Sequence, residues 1–313
     1  MTESLTDIRI FVAAYEERSF TTAAIRENAT QSGVSQHIRK LEEAYKVKLF
    51  SRDKGQVVPT PAGDAFYAQC IQALRALQSG KDAVKSFAGV SGDVYVGLMP
   101  TMTRAALAPS IRRIVREHPN VVVHVMEAYS PILTQRVVSG ELDFAIVPAF
   151  AGGPGLRVER FLRTWEALVS NPSRGAHLSP ARLRDCGPLK LVLPSRANTR
   201  RKTLDEYFAL NEVAVERLIE MDAMMGTLDF VATSDWVTIL PALMMTVEIE
   251  NRQFSVRPIV DPLASLDLVW IEPTRRALGA AARAFLDIIR EEAERLNRAW
   301  IEPFGVCLAR GGD

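Results

Sequence analysis

The sequence predicts a multidomain α/β protein: a small helical head closed by a hairpin, one long connecting helix, and a body of two α/β lobes. Three observations predict it. The chain has 313 residues, too many for one ordinary domain. Its first sixty residues carry apolar side chains at helical spacing, and from Asp93 onward strand-like and helical runs alternate.

In the head, Leu5, Ile8, Val12 and Tyr15, with Phe11 beside them, predict a first helix after Ser4. Within "SFTTAAIREN", Thr21 is placed to cap a short second helix ending near Asn28, with Phe20 and Ile25 at the positions of a hydrophobic staple. Thr30 can cap a third helix, on which Val34, Ile38, Leu41 and Tyr45 share a narrow arc that must face the first two. The opposite side carries Ser32, Ser35, Gln36 and Arg39, with Gln31 at the N-terminal edge. No acid occurs on this helix before Glu42, although the macrodipole would favour Asp or Glu in the first turn. Three short helices, the last two joined by a tight turn, make a helix-turn-helix, whose second member enters the major groove of DNA. An acid there would be repelled by phosphates, whereas Gln and Ser can read bases or hold phosphate oxygens. Thr30, Gln31, Ser32, Ser35, Gln36 and Arg39 are therefore the expected contacts to double-stranded DNA.

"LFSR" and "QVVP" are short strand-like runs around Asp53, Lys54 and Gly55, where glycine can supply the positive φ of a hairpin turn. This reads as a wing, with Lys48, Arg52 and Lys54 near the DNA backbone; the alternative is that these are ordinary solvated cations. Thr60 and Pro61 then start a helix on which Phe66, Cys70, Ala73, Leu77, Gly80, Val84 and Phe87 alternate by four and three, the spacing of a coiled-coil seam. The same stripe would serve a helix packed on its own domain. As a seam it would pair two chains and set two recognition helices on a two-fold related site.

In the body, "VYVGLM", "VVVHVME" and "DFAIV" read as strands separated by helices over 104–117 and 131–139. "LKLVL", "VERLIE" and "WVTILP" repeat the rhythm with helices over 202–210 and 223–233, and "LDLVWI" precedes a last helix from Arg275 towards Ala299. Such alternation implies parallel sheets covered on both faces, two lobes, and a ligand cleft at the strands' C-terminal ends. In "MPTMTR", Thr101 and Thr103 stand where the first strand hands over to a helix start whose free amides would suit an anion. Plain capping is the competing reading. Arg104, Arg200 and Arg201 are candidate charge partners for a small anionic metabolite.

The run Ser19 to Gly63, "SFTTAAIRENATQSGVSQHIRKLEEAYKVKLFSRDKGQVVPTPAG", closely resembles the signature of LysR-type transcriptional regulators, and the resemblance continues through "HPNVVVHVMEAYS", "LTQRVVSGELDFAIV" and "ARAFLDIIREE". It implies a winged helix-turn-helix over 1–60, a dimerising linker helix over 61–89 and a two-lobed, periplasmic-binding-protein-like effector domain over 90–302; the stretch beyond the last helix, 303–313, reads as a flexible tail. It also implies a homodimer or dimer of dimers, a homotetramer, on an interrupted inverted repeat in a promoter, with a small effector altering the DNA bend and RNA polymerase as a further candidate partner. Family DNA-contacting places fall on Gln31, Ser32, Ser35, Gln36 and Arg52; many relatives have Arg where this chain has Gln36. Glu27 stands where a core Leu is common, with Ile25 expected to replace that packing. The effector pocket is placed around Thr101, Met102, Thr103, Ser130, Asn198 and Thr199. Ser234 and Trp236 occupy places where relatives carry glycines, so Trp236 is expected to reshape the pocket wall.

Other functions find little footing. The net charge of +1 offers no global field for a polyanion, so any nucleic-acid surface must be local. His37, His118, His124 and His177 have no nucleophile or metal partner at a recognisable spacing, so no enzyme, cofactor or metal is expected. Cys70, Cys186 and Cys307 form no zinc spacing and read as structural thiols; a redox sensor built on Cys186 would lack a resolving partner nearby in sequence. The start "MTESLTD" lacks a signal-peptide pattern and no later run is long enough to span a membrane, so a cytoplasmic location is expected.

Overall fold

A computed structural model describes residues 3–53, 56–85, 89–274 and 277–308. The chain forms two compact units, an N-terminal one through Val84 that also takes in Ser139–Glu141, and a larger one of Lys85–Val138 and the residues from Leu142 onward.

In the N-terminal unit, α1 (Leu5–Glu17), α2 (Phe20–Arg26) and α3 (Gln31–Tyr45) surround a core of Phe11, Ala14, Ala23, Val34, Ile38 and Leu41. Ser4 caps α1 in a reciprocal capping box with Asp7. Ser19, not Thr21, caps α2, so the helix starts two residues earlier than the sequence suggested. That register carries Phe20 edge-on to Phe50 and leaves Ile25 75% exposed, so there is no staple and Ile25 replaces nothing in the core. Glu27 is held instead by Arg9 at 2.9 Å. Asn28, at φ 51, makes the left-handed step between α2 and α3, a conformation its short polar side chain tolerates.

Strands β1 (Phe50–Asp53) and β2 (Gln56–Pro59) pair antiparallel, as expected for a wing. The hairpin tip, Lys54 and Gly55, lies outside the described residues. Helix α4 (Pro61–Lys85) follows Thr60, whose hydroxyl accepts from Gly63 N at 3.1 Å. A Cβ on Gly63 would collide with the Leu49 carbonyl, so only glycine lets the helix start lie against the wing base. The expected seam divides along α4. Phe66 and Cys70 pack into the N-terminal core, while Ala73, Leu77, Gly80 and Val84 are exposed, Val84 at 72%; Phe87 lies outside the described residues. Burial pushes the Cys70 thiol up to about 12, which marks it as a core residue.

The larger unit carries one mixed sheet in the order β4-β3-β5-β11-β6-β9-β7-β8, with β10 beside β6. In chain order its elements are β3 (Gly92–Leu98), α5 (Pro100–Met102), a π turn (Thr103–Leu107), α6 (Ala108–Glu117), β4 (Val121–Glu127), α7 (Ser130–Val138), β5 (Phe144–Pro148) and β6 (Leu156–Ser170). Then come β7 (Leu189–Leu193), α8 (Thr199–Leu210), β8 (Val215–Glu220), α9 (Met224–Ala232), β9 (Val237–Pro241), α10 (Glu248–Asn251), β10 (Ser255–Pro258), β11 (Ser265–Pro273), α11 (Ala280–Arg298) and α12 (Ile301–Leu308). The π turn precedes Pro109, which has no N–H to give to the Ala105 carbonyl and so loosens the α register there.

Two parallel triplets, β4-β3-β5 and β8-β7-β9, form the two lobes expected from the alternation. The all-parallel expectation fails at the join. The triplets are connected through β11 and β6, which pair antiparallel with each other and with β5 and β9 respectively. In lobe two, alternate residues serve opposite faces: Val192 and Val169 enter one core, Leu191, Leu193 and Leu168 the other. On α11, Phe285, Leu286, Ile288, Ile289 and Ala293 form the stripe that packs on lobe one. Of the expected flexible tail, 303–313, the part through Leu308 is instead helical in α12, anchored by Phe304, which is buried against Trp165, and preceded by Trp300, whose Nε1 donates to Thr246 Oγ1 at 2.9 Å; residues 309–313 lie outside the described residues. Phe304, buried with Trp300 beside it, holds this segment on the lobe-two core.

Candidate functional site

Two surfaces concern function, and the first is built on α3. Thr30 caps it, its hydroxyl accepting from Gly33 N at 3.1 Å, and no acid stands in its first turn. Val34, Ile38 and Leu41 are buried, so Thr30, Gln31, Ser32, Gln36 and Arg39 are exposed and Ser35 is half-buried on the outer side. Gln31 Nε2 donates to Ser35 Oγ at 3.2 Å, and the Thr30 and Ser32 hydroxyls lie 3.1 Å apart. A cleft of about 310 Å³ runs between α3 and the wing base, with Ser35, Arg39, Lys48 and Ser51 on its walls. Arg52 stands on β1 opposite Val57.

Two buried carboxylates hold this surface in place, and neither was singled out in the sequence. Glu42 accepts from Leu49 N (2.9 Å), Phe50 N (3.3 Å) and Lys48 Nζ (2.6 Å), which ties α3 to the start of the wing. Asp7, on α1, is fully buried. It accepts from Ser4 N and Oγ at 2.8 Å each, from His37 Nδ1 at 2.6 Å and from Lys40 Nζ at 2.7 Å. Burial alone would raise its pKa; the Lys40, His37 and Ser4 hydrogen bonds outweigh that and hold the carboxyl well below the usual range. His37 is thereby a bracing residue on α3.

The second surface is the cleft between the lobes, lined by Met99, Thr101 and Tyr129 from lobe one and by Asn198, Met224 and Thr238, among others, from lobe two. Its volume is about 40 Å³, room for no more than a few waters. Of the six expected effector residues, Thr101 and Asn198 line it. Met102 does not: it is fully buried in the lobe-one core, because the turn after β3 points it inward. The Thr103 hydroxyl is turned to the Pro100 carbonyl and the Glu127 carboxylate. Ser130 and Thr199 join the lobes through a hydroxyl pair at 2.9 Å. Trp236 is absent from the lining and packs beside Phe230 and Arg217 in lobe two, so it does not form the pocket wall.

Most of the features expected to receive an anion are already spent. The amides of Met102 and Thr103 donate to the Met99 carbonyl. Arg200 binds Glu166 through two hydrogen bonds of 2.7 Å and the Ile239 carbonyl at 2.6 Å. Arg201 binds Asp205, Glu220 and the Pro194 carbonyl, and Arg104 binds Glu248 and the Met244 carbonyl. Burial makes such pairing obligatory for an arginine, which sequence spacing does not reveal.

Among the described residues no group of His, Cys, Asp or Glu could hold a metal ion, and no helix is long and apolar enough to cross a membrane. A helix-turn-helix whose recognition helix has no acid in its first turn, carried on the same chain as a two-lobed α/β unit, defines a DNA-binding protein with a ligand-binding body. Known proteins agree. Residues 5–64 match the bacterial regulatory helix-turn-helix protein model of the lysR family, and residues 87–294 match the LysR substrate binding domain. The chain belongs to the LysR family of transcriptional regulators; it is a DNA-binding regulator with an effector-binding domain and not an enzyme. It is 26% identical over 308 residues to the HTH-type transcriptional regulator YfeR of Shigella flexneri, covering 95% of this chain and 96% of that one. The LysR family regulator CbnR shares the fold with a TM-score of 0.66 at 17% identity, over 93% of this chain and 99% of that chain. Full-length CbnR complexed with its target DNA gives the same TM-score at 18% identity, over 92% and 99%.

Proposed function

We propose that this chain regulates transcription by seating α3 in the major groove of an interrupted inverted repeat in a promoter. Thr30, Gln31, Ser32, Ser35, Gln36 and Arg39 face the groove, and Arg52 with Lys54 of the wing meets the adjoining phosphates. The observation that carries the reading is the exposed polar face of α3 with no acid in its first turn. The CbnR complex, a protein of the same fold on its target DNA, supports the docking mode. The exposed strip of α4, Ala73 to Val84, supports a homodimer or dimer of dimers, which supplies the two-fold symmetry such a site requires. The domain boundaries expected from the sequence carry over with one change, the assignment of α12 to the effector domain. The chain acts where promoter DNA is, in the cytoplasm, and RNA polymerase is a candidate contact.

The effector of this reading sits between the lobes against Thr101 and Asn198. With the nearby arginines paired internally and three methionines in the lining, the cleft suits a compact, mainly apolar molecule with a single polar end, a carboxylate among the forms it can take. Binding requires the lobes to part, which breaks the Ser130–Thr199 contact and couples occupancy to lobe geometry. Footprinting of the purified protein on its own upstream region tests the DNA reading: two protected half-sites on one face of the duplex are expected, and absence of protection at any accessible salt concentration contradicts it. Calorimetry with a panel of small organic acids and their neutral analogues tests the cleft, and undiminished binding by both Thr101→Ala and Asn198→Ala removes it from the account.

A further inference from the structure

Lobe two contains a cavity of about 620 Å³, lined by none of the residues assigned above to DNA or effector. Its floor is apolar, with Leu168, Leu189, Val237 and Val260 buried beneath it. Its rim carries three guanidinium groups, those of Arg174, Arg182 and Arg257, and two carboxylates, those of Asp185 and Asp261. Arg182 Nε donates to Asp261 at 2.6 Å, so that pair is neutralised. Arg174 and Arg257 are committed differently. Arg174 donates to the Asp235 carbonyl, and Arg257 to the carbonyls of Ser179 (3.3 Å) and Pro180 (2.9 Å). Carbonyl oxygens orient a guanidinium without cancelling its charge; the Asp235 carboxylate, which Lys190 holds at 2.7 Å, also feels Arg174, and the five N–H donors leave further capacity at both arginines.

The two arginines are also neighbours in space. Gly175, next in sequence to Arg174, sits at φ +89, and a Cβ there would stand 3.3 Å from Arg257 Cδ. Glycine thus permits both the turn and the passage of the Arg257 side chain along this wall. An apolar floor with a few convergent polar groups at one edge is the usual make-up of a small-molecule site, and the volume lies inside the range of about 300–1,000 Å³ that such sites occupy. The inter-lobe cleft, at about 40 Å³, is far smaller.

We propose that this cavity is a second small-molecule site, which takes an organic carboxylate. The apolar body lies on Leu168, Leu189, Val237 and Val260, and the carboxylate is received by Arg174 and Arg257, away from Asp261. Occupancy joins β6, β10 and the segment between β6 and β7, so it bears on lobe two without entering the inter-lobe cleft.

Cys186 lines the same cavity, its thiol donating to the Arg182 carbonyl at 3.3 Å, and it reports occupancy. Full-length protein is treated with iodoacetamide with and without 1-naphthoate or isovalerate, and alkylation of Cys186 is followed by peptide mass spectrometry. The rate should fall as one over 1 + [L]/Kd, about tenfold at nine times Kd. Arg174→Gln and Arg257→Gln should each abolish the protection, and Thr101→Ala should retain it. Arg257→Gln loses two backbone hydrogen bonds; if circular dichroism shows it unfolded, Arg174→Gln, altered at an exposed position, decides alone. The proposal is overturned if neither carboxylate slows alkylation up to its solubility limit, if the arginine variants are protected like the wild type, or if Thr101→Ala removes the protection.

Discussion

Replacing Asp7 by alanine removes the buried carboxylate that fastens α1 to the recognition helix, and the structure sets the size of the effect. Loss of the bond from Ser4 N to the Asp7 carboxylate, one half of the capping box, costs about 1 kcal/mol, while the other half, the backbone N–H of residue 7 to Ser4 Oγ, is kept. The hydrogen bonds from His37 and Lys40 are charge-assisted, but both donors reach solvent and can rehydrate, so their loss adds about 1–2 kcal/mol in total. Alanine suits a helix interior and adds no propensity penalty. The sum is about 2–3 kcal/mol. All four tryptophans, Trp165, Trp236, Trp270 and Trp300, lie in the larger unit, so their fluorescence is blind to this change. Amide hydrogen exchange resolved by mass spectrometry reads it directly: α1 and α3 peptides should exchange about 30- to 150-fold faster, with effector-unit peptides unchanged. The pH dependence has a definite sign. Because the folded-state pKa of Asp7 lies below its unfolded value of about 3.9, its contribution is complete above that pH and declines as pH falls towards the folded value. In Asp7→Ala this acid-dependent part of the protection is missing. Exchange in α1 and α3 within about threefold of wild type, some 0.6 kcal/mol, refutes the bracing role.

Other outcomes follow from buried pairs and exposed strips. Arg200→Met leaves Glu166 buried without its partner and should destabilise the effector unit by about 3–5 kcal/mol in urea unfolding followed by tryptophan fluorescence. The double variant Arg200→Met with Glu166→Leu should recover most of that loss; equal destabilisation in the two contradicts the pairing account. Leu77→Glu with Val84→Glu puts like charges on the exposed strip of α4 and should shift sedimentation towards monomer while leaving hydrogen exchange in α1 to α3 unchanged. An unaltered oligomer excludes α4 as the dimer seam.

What the sequence made legible was local. The arc of Val34, Ile38, Leu41 and Tyr45 and the cap at Thr30 are fixed by spacing within one helix; the structure caps α3 at Thr30 and buries the first three, while Tyr45, at the helix end, stays 41% exposed against Phe66. Strands β4, β7 and β8 also run over their expected residues. Strand β6 escaped notice for a physical reason: its first half alternates in burial beside β11, whereas its second half is buried on both faces between β9 and β10, so no single period describes it. The cap of α2 was misplaced because Ser19 and Thr21 are both capping residues; the structure caps at Ser19, the better N-cap of the two, with Phe20 packed on Phe50. The effector cleft was the least legible part. Thr101 and Asn198 were placed at it by resemblance, but nothing in "MPTMTR" reveals that Met102 turns into the core or that the following amides are used up at Met99. The pairing of Asp7 with His37 and Lys40, thirty or more residues away, is a tertiary fact with no local trace.

The central claim, that the outer face of α3 reads base sequence, is tested most directly by selecting binding sites from random DNA with the wild type, Gln31→Ala and Ser35→Ala, and by measuring the ratio of operator to random-sequence affinity at one salt concentration. The account predicts that each variant folds normally and loses about 1–3 kcal/mol of that ratio per lost base contact, with relaxed preference confined to particular positions of each half-site. Unchanged selected sequences and an unchanged ratio in both variants contradict it.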